Sequence, residues 1–400
     1  MAAETSLRSL LGIPQVGRTL SASLLGRLPY TAIGLLLILR VRETGGGYAE
    51  GGAAAGAFAV GLALLGPVVG RLVDRHGQRA VLLPCAVLCA LPLTAAALVP
   101  DDTHVAVFVV LAALAGMAHP PLSGAMRALW PELVPPDRRH AVFAIEAAGV
   151  ELTFIAGPLL LVGVLAGVAS PSVALLAAAA LLVGGTLLFT TAPSSRDWRP
   201  ASAAVRTLTG ALGSPALLTL VASSVCMGAS FGAIEVATTA HADEHGSPAL
   251  VGPLLAAWAA GSLVGGVATA RSRAPSDPRG RLVVLLAATA AADVLVAVAP
   301  RPLLLAPALF VAGSCIAPAF ATLYSMVSDL AREGTLTESY TWVSTGVTTG
   351  LAAGAAVGGA TVDAFSTHAA MAGAAGMVLL ATVIAVVARR LLEPPGAAPA

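Results

Sequence analysis

The sequence predicts an all-α integral membrane protein with twelve transmembrane helices in two pseudo-symmetric halves of six. First, 57% of its 400 residues are hydrophobic and only 11% are charged, whereas soluble domains average about 25% charged residues. Second, polar clusters divide the chain into twelve apolar runs, and a bilayer core about 30 Å thick needs about 20 apolar residues per helix. Third, the second run of each half repeats the same residue pattern. This composition excludes a water-soluble fold.

The twelve apolar runs follow one another with short polar connections. They lie near residues 20–39, 49–70, 80–100, 104–126, 141–168, 171–191, 214–239, 249–270, 282–300, 302–327, 339–362 and 369–388. No convincing small-residue cleavage site follows the first run, so we expect it to be a retained span. The 42 glycines favour close packing between these helices.

An internal repeat appears when the chain is compared with itself at an offset of 200 residues. Gly52, Phe58, Gly61, Gly66 and Arg71 fall opposite Gly252, Trp258, Gly261, Gly266 and Arg271. Because glycines are common in this chain, the aromatic and arginine matches carry most of the weight. We therefore predict a six-helix half over residues 1–191, a cytoplasmic linker over 192–213, and a second half with a short cytoplasmic tail over 214–400.

The distribution of arginine predicts the orientation of the chain. All 22 basic residues are arginines. With the N-terminus in the cytoplasm, 18 of them lie inside, Arg40, Arg42 and Arg301 lie outside, and Arg27 lies within a span, which is the bias of the positive-inside rule. Both termini are therefore expected to be cytoplasmic, with the chain in the plasma membrane. No long basic run indicates nucleic-acid binding.

The loop between spans two and three contains a short charged motif bounded by glycines. Its sequence over residues 70–79 resembles the signature cytoplasmic loop of the major facilitator superfamily, with Gln78 where the family has a basic residue. The matching residues are Gly70, Leu72, Asp74, Arg75, Gly77 and Arg79. The resemblance implies two rocking halves, secondary transport by alternating access, and a role of this loop in latching the halves on the inner side.

Two glycine patterns lie within the spans. Span eleven has a glycine at every fourth position, which forms one small-residue ridge. The ridge residues are Gly346, Gly350, Gly354 and Gly358. They predict close helix contact, either as a sliding surface between the halves or as static packing. In span five, Gly157-Pro158 resembles the centre of the family's antiporter motif, although Thr153 replaces an expected glycine; this favours export over import.

Ionisable residues inside the spans are functional candidates, because a charge in the bilayer costs a few kcal/mol. Arg27 in span one is expected to pair with Glu151 or Glu146 of span five. We predict that Glu151 binds the coupling proton and that Arg27 tunes it, the alternative being a permanent structural ion pair. Arg127 is expected to pair with Asp74 or Glu146, or to be an ordinary arginine on the cytoplasmic side.

The spans that the resemblance places around the cavity carry few polar side chains. The cavity candidates are Tyr30, Thr31, His119, Glu235 and Tyr324. For His119 the alternative is a packing role, and the adjacent Pro120-Pro121 is expected to interrupt its helix. Because sugar carriers need many hydrogen-bonding groups to replace water, we expect a moderately lipophilic substrate. Asp293, in a peripheral span, is not expected to take part.

No catalytic constellation is evident. Asp101 and Asp102 form an isolated pair, the cysteines lie in apolar runs, and no histidine-rich cluster appears. We therefore predict no enzyme, cofactor or metal site, but proton-coupled efflux of a small organic compound. The alternatives are an importer or uniporter, and a non-transporting receptor or scaffold. The expected partners are the lipid bilayer, the substrate and protons, and each chain could act as a monomer.

Overall fold

The computed structural model describes residue 13, residues 15–199 and residues 210–393, and every regular element in these ranges is helical. Arg8, Arg206, residues 200–209 of the predicted linker and the end of the tail lie outside them. The long helices are α1 (Val16–Glu43, in segments Val16–Arg27 and Tyr30–Glu43), α2 (Tyr48–His76), α3 (Gln78–Leu98), α4 (Val105–Leu133, in segments Val105–Met117 and Leu122–Leu133), α5 (Pro136–Ala166), α6 (Pro171–Thr191), α7 (Pro215–Glu244), α8 (Val251–Arg271), α9 (Pro278–Ala297), α10 (Pro302–Leu330, in segments Pro302–Ser314 and Ile316–Leu330), α11 (Leu336–Ala364) and α12 (Thr367–Val387).

Eleven of these described helices are long and apolar enough to cross a membrane. The remaining one, α11, has 29 residues, but serine, threonine and glycine lower its hydropathy. Its first turns are buried against protein, including Glu338 and Tyr340. Its neighbours are α7 in its own half and α2 and α4 in the other. The polar side chains of its first turns therefore meet other helices rather than lipid, and α11 completes the twelve-helix architecture.

Prolines interrupt several helices. The predicted break in α4 is confirmed, since Met117 ends one segment and Leu122 begins the next. In α1 the two segments meet at Pro29, and in α5 a π-helix runs from Pro158 to Ala166. Proline lacks a backbone N–H and its ring clashes with the preceding turn. The breaks in α1 and α4 lie at buried residues, Pro29 and His119 to Pro121, where protein rather than lipid can satisfy the irregular backbone.

The two halves repeat the same helix crossing. In the first half, Gly61 of α2 and Gly116 of α4 lie against the backbone of the other helix, Gly116 meeting Phe58. In the second half, Gly261 of α8 and Gly313 of α10 do the same, Gly313 meeting Trp258. A Cβ at any of these positions would collide with backbone atoms. The pseudo-symmetry predicted from the sequence is thus present in the packing, whereas the boundaries at 191 and 214 stay predictions.

The glycine ridge of α11 faces α7 of the same half. Gly350 and Gly354 lie against the backbone of Val225 and Ala229, while Gly346 meets Ser224. The close contact expected from the spacing is present, but the idea of a sliding surface between the halves is wrong for this face. The surface of α11 toward α2 consists instead of larger residues of its first turns.

The halves meet where α2 and α4 contact α11 and where α5 contacts α8 and α10. We call the side of the bundle on which α2 ends and α3 begins the arginine-rich side. Arg75, Arg79, Arg139, Arg271 and Arg281 all lie at helix ends on that side. Between the halves, further from that side, lies the central cavity.

Candidate functional site

The central cavity consists of two adjoining chambers lined by both halves. The polar chamber, of about 180 Å³, includes Arg27, Tyr30, Thr31, His119, Ser344 and Thr348. The aromatic chamber, of about 440 Å³, includes Glu151, Phe231, Glu235, Trp258 and Phe320. Arg127 and Tyr324 line both chambers. All five cavity candidates from the sequence line one of them.

A buried cluster of three charges forms part of the cavity wall. Nη1 of Arg27 donates to Oε1 of Glu146 at 3.0 Å, and Nε of Arg127 lies 3.2 Å from the same oxygen. The indole of Trp130 donates to Oε2 of Glu146 at 2.8 Å. Arg27, Arg127 and Glu146 are 7%, 3% and 0% exposed. One carboxylate thus holds two arginines, from α1 and α4, in place.

Arg127 also contacts the second half of the protein. Its Nη1 donates to the hydroxyl of Ser344 at 3.2 Å, and its guanidinium carbon lies 3.6 Å from the centre of the Tyr324 ring. A cation over an aromatic face is stabilised by the ring quadrupole. Of the partners expected for Arg127, the structure therefore selects Glu146 and not Asp74, and it adds a contact between the halves.

Glu151 lies apart from the arginines. Its Oε1 accepts a hydrogen bond of 2.9 Å from Ser262 of α8, so that α5 and α8 are linked across the halves. Arg27 binds Glu146 instead, and the expectation that Arg27 tunes Glu151 is wrong for this conformation. Glu146 and Glu151 are five residues apart on α5, so their side chains leave the helix on different faces and meet different neighbouring helices.

The aromatic chamber is walled by packed rings from the second half. The ring centres of Phe231 and Trp258 lie 5.5 Å apart, and those of Phe320 and Tyr324 also lie 5.5 Å apart. Nε1 of Trp258 is buried and has no hydrogen-bond partner among the described residues.

The cavity extends away from the arginine-rich side. Glu235 is exposed and lies 20 residues into α7, or about 30 Å along the helix. Gly252, in the first turn of α8, also lines the aromatic chamber. Because α7 ends and α8 begins on the far side of the bundle, the cavity reaches that side.

In the polar chamber, His119 has both roles that the sequence left open. It lines the chamber, and its ring packs 5.4 Å from that of Tyr30 and 5.9 Å from that of Phe58. Thr31 is less available, because its hydroxyl lies 3.0 Å from the carbonyl of Thr153. Gly157 packs against Thr31, so the Gly157-Pro158 pair joins α5 to α1.

On the arginine-rich side, Asp74 of α2 caps α11. Its two carboxylate oxygens accept hydrogen bonds of 2.9 and 2.8 Å from the backbone N–H groups of Thr337 and Glu338. The first N–H groups of a helix lack partners and carry partial positive charge. A carboxylate of one half thus stabilises the first turn of a helix in the other half.

A second contact reinforces this closure. Arg71 forms a bidentate ion pair with Glu338, with N···O distances of 2.7 and 3.0 Å. Planar pairing of this kind is stronger than a single charged contact. Gly70 lies against Glu338 and Thr341 at distances that leave no room for a side chain. The sequence motif missed Arg71, although the internal repeat had matched it to Arg271.

The other motif residues surround this contact. Gly77 has a φ of +88°, which glycine adopts without strain, while Leu72, Arg75 and Arg79 are exposed. Gln78, the departure from the family pattern, is buried. It donates to the carbonyl of Ala125 at 2.9 Å and accepts from Ser195 at 2.7 Å. A neutral amide fits this buried position better than a charge would.

Sequence reasoning set aside one buried group, Asp293, and missed a cluster of histidines. Asp293 is 1% exposed and accepts a hydrogen bond of 2.9 Å from Ser230, so it lies inside the second half rather than at its periphery. In addition, His241, His245 and His368 gather at the far end of α7. The spacing of the first two, one helical turn apart, was a visible signal, but His368 is 123 residues further along the chain.

Two six-helix halves around a cavity that is closed on one side by contacts between the halves define a membrane transport protein rather than an enzyme. The Major Facilitator Superfamily model matches residues 19–337, which is most of the chain. The chain therefore belongs to the major facilitator superfamily. No curated protein sequence matches it.

Several solved transporters have a similar structure. The human organic anion transporter MFSD10 (TETRAN) is 18% identical, with a TM-score of 0.74 over 92% of this chain and 98% of that one. A bacterial homologue of the iron transporter ferroportin, in an outward-facing state, is 15% identical, with a TM-score of 0.71 over 94% and 99%. The proton:xylose symporter XylE is 12% identical, with a TM-score of 0.72 over 97% of each chain. These likenesses show the fold alone.

Proposed function

We propose that the protein is a proton-coupled exporter of small, moderately lipophilic compounds that carry a cationic group, and that it acts by alternating access in the plasma membrane. The observation that carries the proposal is Glu151, a membrane carboxylate that lines an aromatic cavity and has one neutral hydrogen-bond donor. Both termini lie in the cytoplasm in this proposal. The cavity then faces outward, and the Asp74 and Arg71 contacts form the inner closure.

The surroundings of the two carboxylates of α5 support a division of roles. Glu146 is bound by Arg27, Arg127 and Trp130, and protonation would leave two buried arginines without a counter-ion. Glu151 has only the Ser262 hydroxyl as a described partner, so it can gain or lose a proton without breaking an ion pair. Glu151 is the proton-coupling residue, and Glu146 is structural.

The lining of the aromatic chamber supports the substrate class. Phe231, Trp258 and Phe320 offer apolar area and π-faces, and Glu151 and Glu235 add negative charge. Aromatic faces and carboxylates both attract cations. A cationic substrate and a proton would compete for Glu151, and this competition is the coupling that an exchange of the two requires.

The test is transport into inside-out membrane vesicles with an acidic lumen, using tetraphenylphosphonium and ethidium as probes. Export by antiport predicts accumulation in the lumen that a protonophore abolishes. Glu151→Gln should remove the dependence on the pH gradient while leaving folded protein in the membrane. Ser262→Ala is the matched control, since it removes the hydrogen bond but keeps the carboxylate.

The other outcomes separate the alternatives. Gradient-driven uptake in right-side-out vesicles only would indicate an importer, as in the proton symporters among the structural neighbours. Uptake that does not depend on the pH gradient would indicate a uniporter. Gradient-driven export that is unchanged in Glu151→Gln would refute the role of Glu151.

A further inference from the structure

Three of the seven histidines of the chain gather on the far side of the second half, outside the central cavity. His241 belongs to the last turns of α7, His245 follows the helix end, and His368 lies in the first turn of α12. The ring centre of His241 lies 4.3 Å from that of His245 and 5.3 Å from that of His368. Glu244 lies beside them. From this arrangement we infer a binding site for a divalent transition-metal ion, best suited to Zn²⁺, that joins α7 to α12.

The hydrogen bonds of the three rings leave the same nitrogen free. Nδ1 of His245 lies 2.9 Å from the carbonyl oxygen of His241, and Nδ1 of His368 lies 2.7 Å from the carbonyl oxygen of Ala297. A carbonyl can only accept, so in each neutral ring Nδ1 carries the proton and Nε2 has the free lone pair. In metal sites, an oxygen atom that accepts from the other ring nitrogen commonly orients the histidine in this way.

His241 is held in the same way through a hydroxyl. Its Nδ1 lies 3.4 Å from Oγ1 of Thr367, which in turn donates to Glu244 at 3.0 Å. Nε2 of His241 is buried and has no hydrogen-bond partner among the described residues, and the whole residue is 0% exposed. A buried lone pair without a donor is costly, and a metal ion would satisfy it.

The donor set and the spacing fit zinc. One ligand atom from each of His241, Glu244 and His245 lies within 4.8 Å of the other two. Glu244 lies 4.0 Å from Nδ1 of His241, so its carboxylate must turn toward the Nε2 side of that ring to share an ion with it. Bonds of about 2.0–2.1 Å in a tetrahedral site bring ligand atoms to about 3.4 Å apart, so the side chains must rotate toward one another to bind an ion. Imidazole nitrogen and carboxylate oxygen are common zinc ligands. His245 and His368 are exposed, which gives an ion access from water.

The consequence is a brace at the far end of the second half. The ion would tie the end of α7 to the start of α12, and Glu235 lies six residues earlier on α7, about 9 Å along the helix. Metal binding here is independent of the proposed export function, because none of its ligands lines the cavity.

The test is Co²⁺ titration of the full-length protein in detergent, purified without a histidine tag. We expect one equivalent to bind, with absorption bands of tetrahedral Co²⁺ that Zn²⁺ displaces. His241→Gln and His368→Gln should each weaken binding at least tenfold. His104→Gln, an exposed histidine of the first half on the same side, should leave it unchanged.

A stability readout keeps the inference testable if a variant folds poorly. Zn²⁺ should raise the unfolding temperature of the wild-type protein, and the exposed His368→Gln variant, expected to fold, should lose this response. The inference is overturned if wild-type protein binds no Co²⁺, or if His368→Gln binds Co²⁺ as tightly as the wild type and keeps the Zn²⁺ response.

Discussion

At the scale of single residues, Glu146 decides the electrostatics of the cavity wall. It accepts hydrogen bonds from Arg27 and Trp130, forms an ion pair with Arg127, and is 0% exposed. Buried charges are tolerated only when they are paired and hydrogen-bonded. The stability of the cluster therefore depends on this carboxylate, which is the shared counter-ion of both arginines.

Glu146→Gln should strongly destabilise the protein. Removing one partner from a buried ion pair costs about 3–5 kcal/mol, because the other partner remains charged, and here two arginines lose their counter-ion. The measurement is the apparent unfolding temperature in detergent together with the yield of monodisperse protein. Asp102→Asn, at an exposed loop position, is the control and should change stability by less than about 0.5 kcal/mol. Equal unfolding temperatures for the two variants would show that the cluster is not structural.

The sequence identified most of the site residues but not their pairing. A buried charge can be recognised in the sequence as a charged residue within an apolar run, as at Arg27, Glu146 and Glu151. The choice between Glu146 and Glu151 as the partner of Arg27 depends on how α1 is rotated against α5, which no local pattern encodes. The role of Gln78 was hidden for the same reason, since its partners lie on α4 and after α6.

At the scale of helices, α11 combines two different surfaces. One face is the glycine ridge against α7, and another, near its start, meets α2 and α4 of the other half. The spacing of four residues predicted the ridge from the sequence. It could not predict which neighbour the ridge would face, because α2 and α7 both offer small residues.

Gly354→Val should disrupt the packing of α7 against α11. A Cβ at this position would overlap the backbone of Ala229, and because backbone cannot rotate away, the two helices must move apart. Overpacking of this kind costs about 1–3 kcal/mol or more. The matched control is Gly373→Val in α12, where nothing lies within 4 Å of the added Cβ. The unfolding temperatures of the two variants test this, and a Gly354→Val protein as stable as the control would contradict the tight crossing.

At the scale of the whole molecule, two six-helix halves meet around the central cavity. The internal repeat predicted the two halves, and the resemblance of residues 70–79 to the family motif implied a contact between the halves at this loop. The internal repeat survives in structure as equivalent crossings of α2 with α4 and of α8 with α10. The sequence could not predict the conformation, because the same sequence adopts every state of the transport cycle. Only the packing shows on which side the contacts between the halves are closed.

If the halves must separate on the arginine-rich side during transport, a covalent link there should stop it. Ala148 of α5 and Gly266 of α8 belong to opposite halves, and a Cβ on Gly266 would lie 3.2 Å from that of Ala148. Disulfides need about 3.5–4.5 Å between Cβ atoms, so Ala148→Cys with Gly266→Cys should cross-link after a shift of a few tenths of an ångström. The starting protein for this variant would have its four cysteines, Cys85, Cys89, Cys226 and Cys315, replaced by alanine.

Oxidation of the double-cysteine variant should abolish vesicle transport and reduction should restore it, while each single-cysteine variant stays active under both conditions. Full transport by completely cross-linked protein would mean that the contact between α5 and α8 never opens, and the rocking of the two halves would have to be abandoned for this chain.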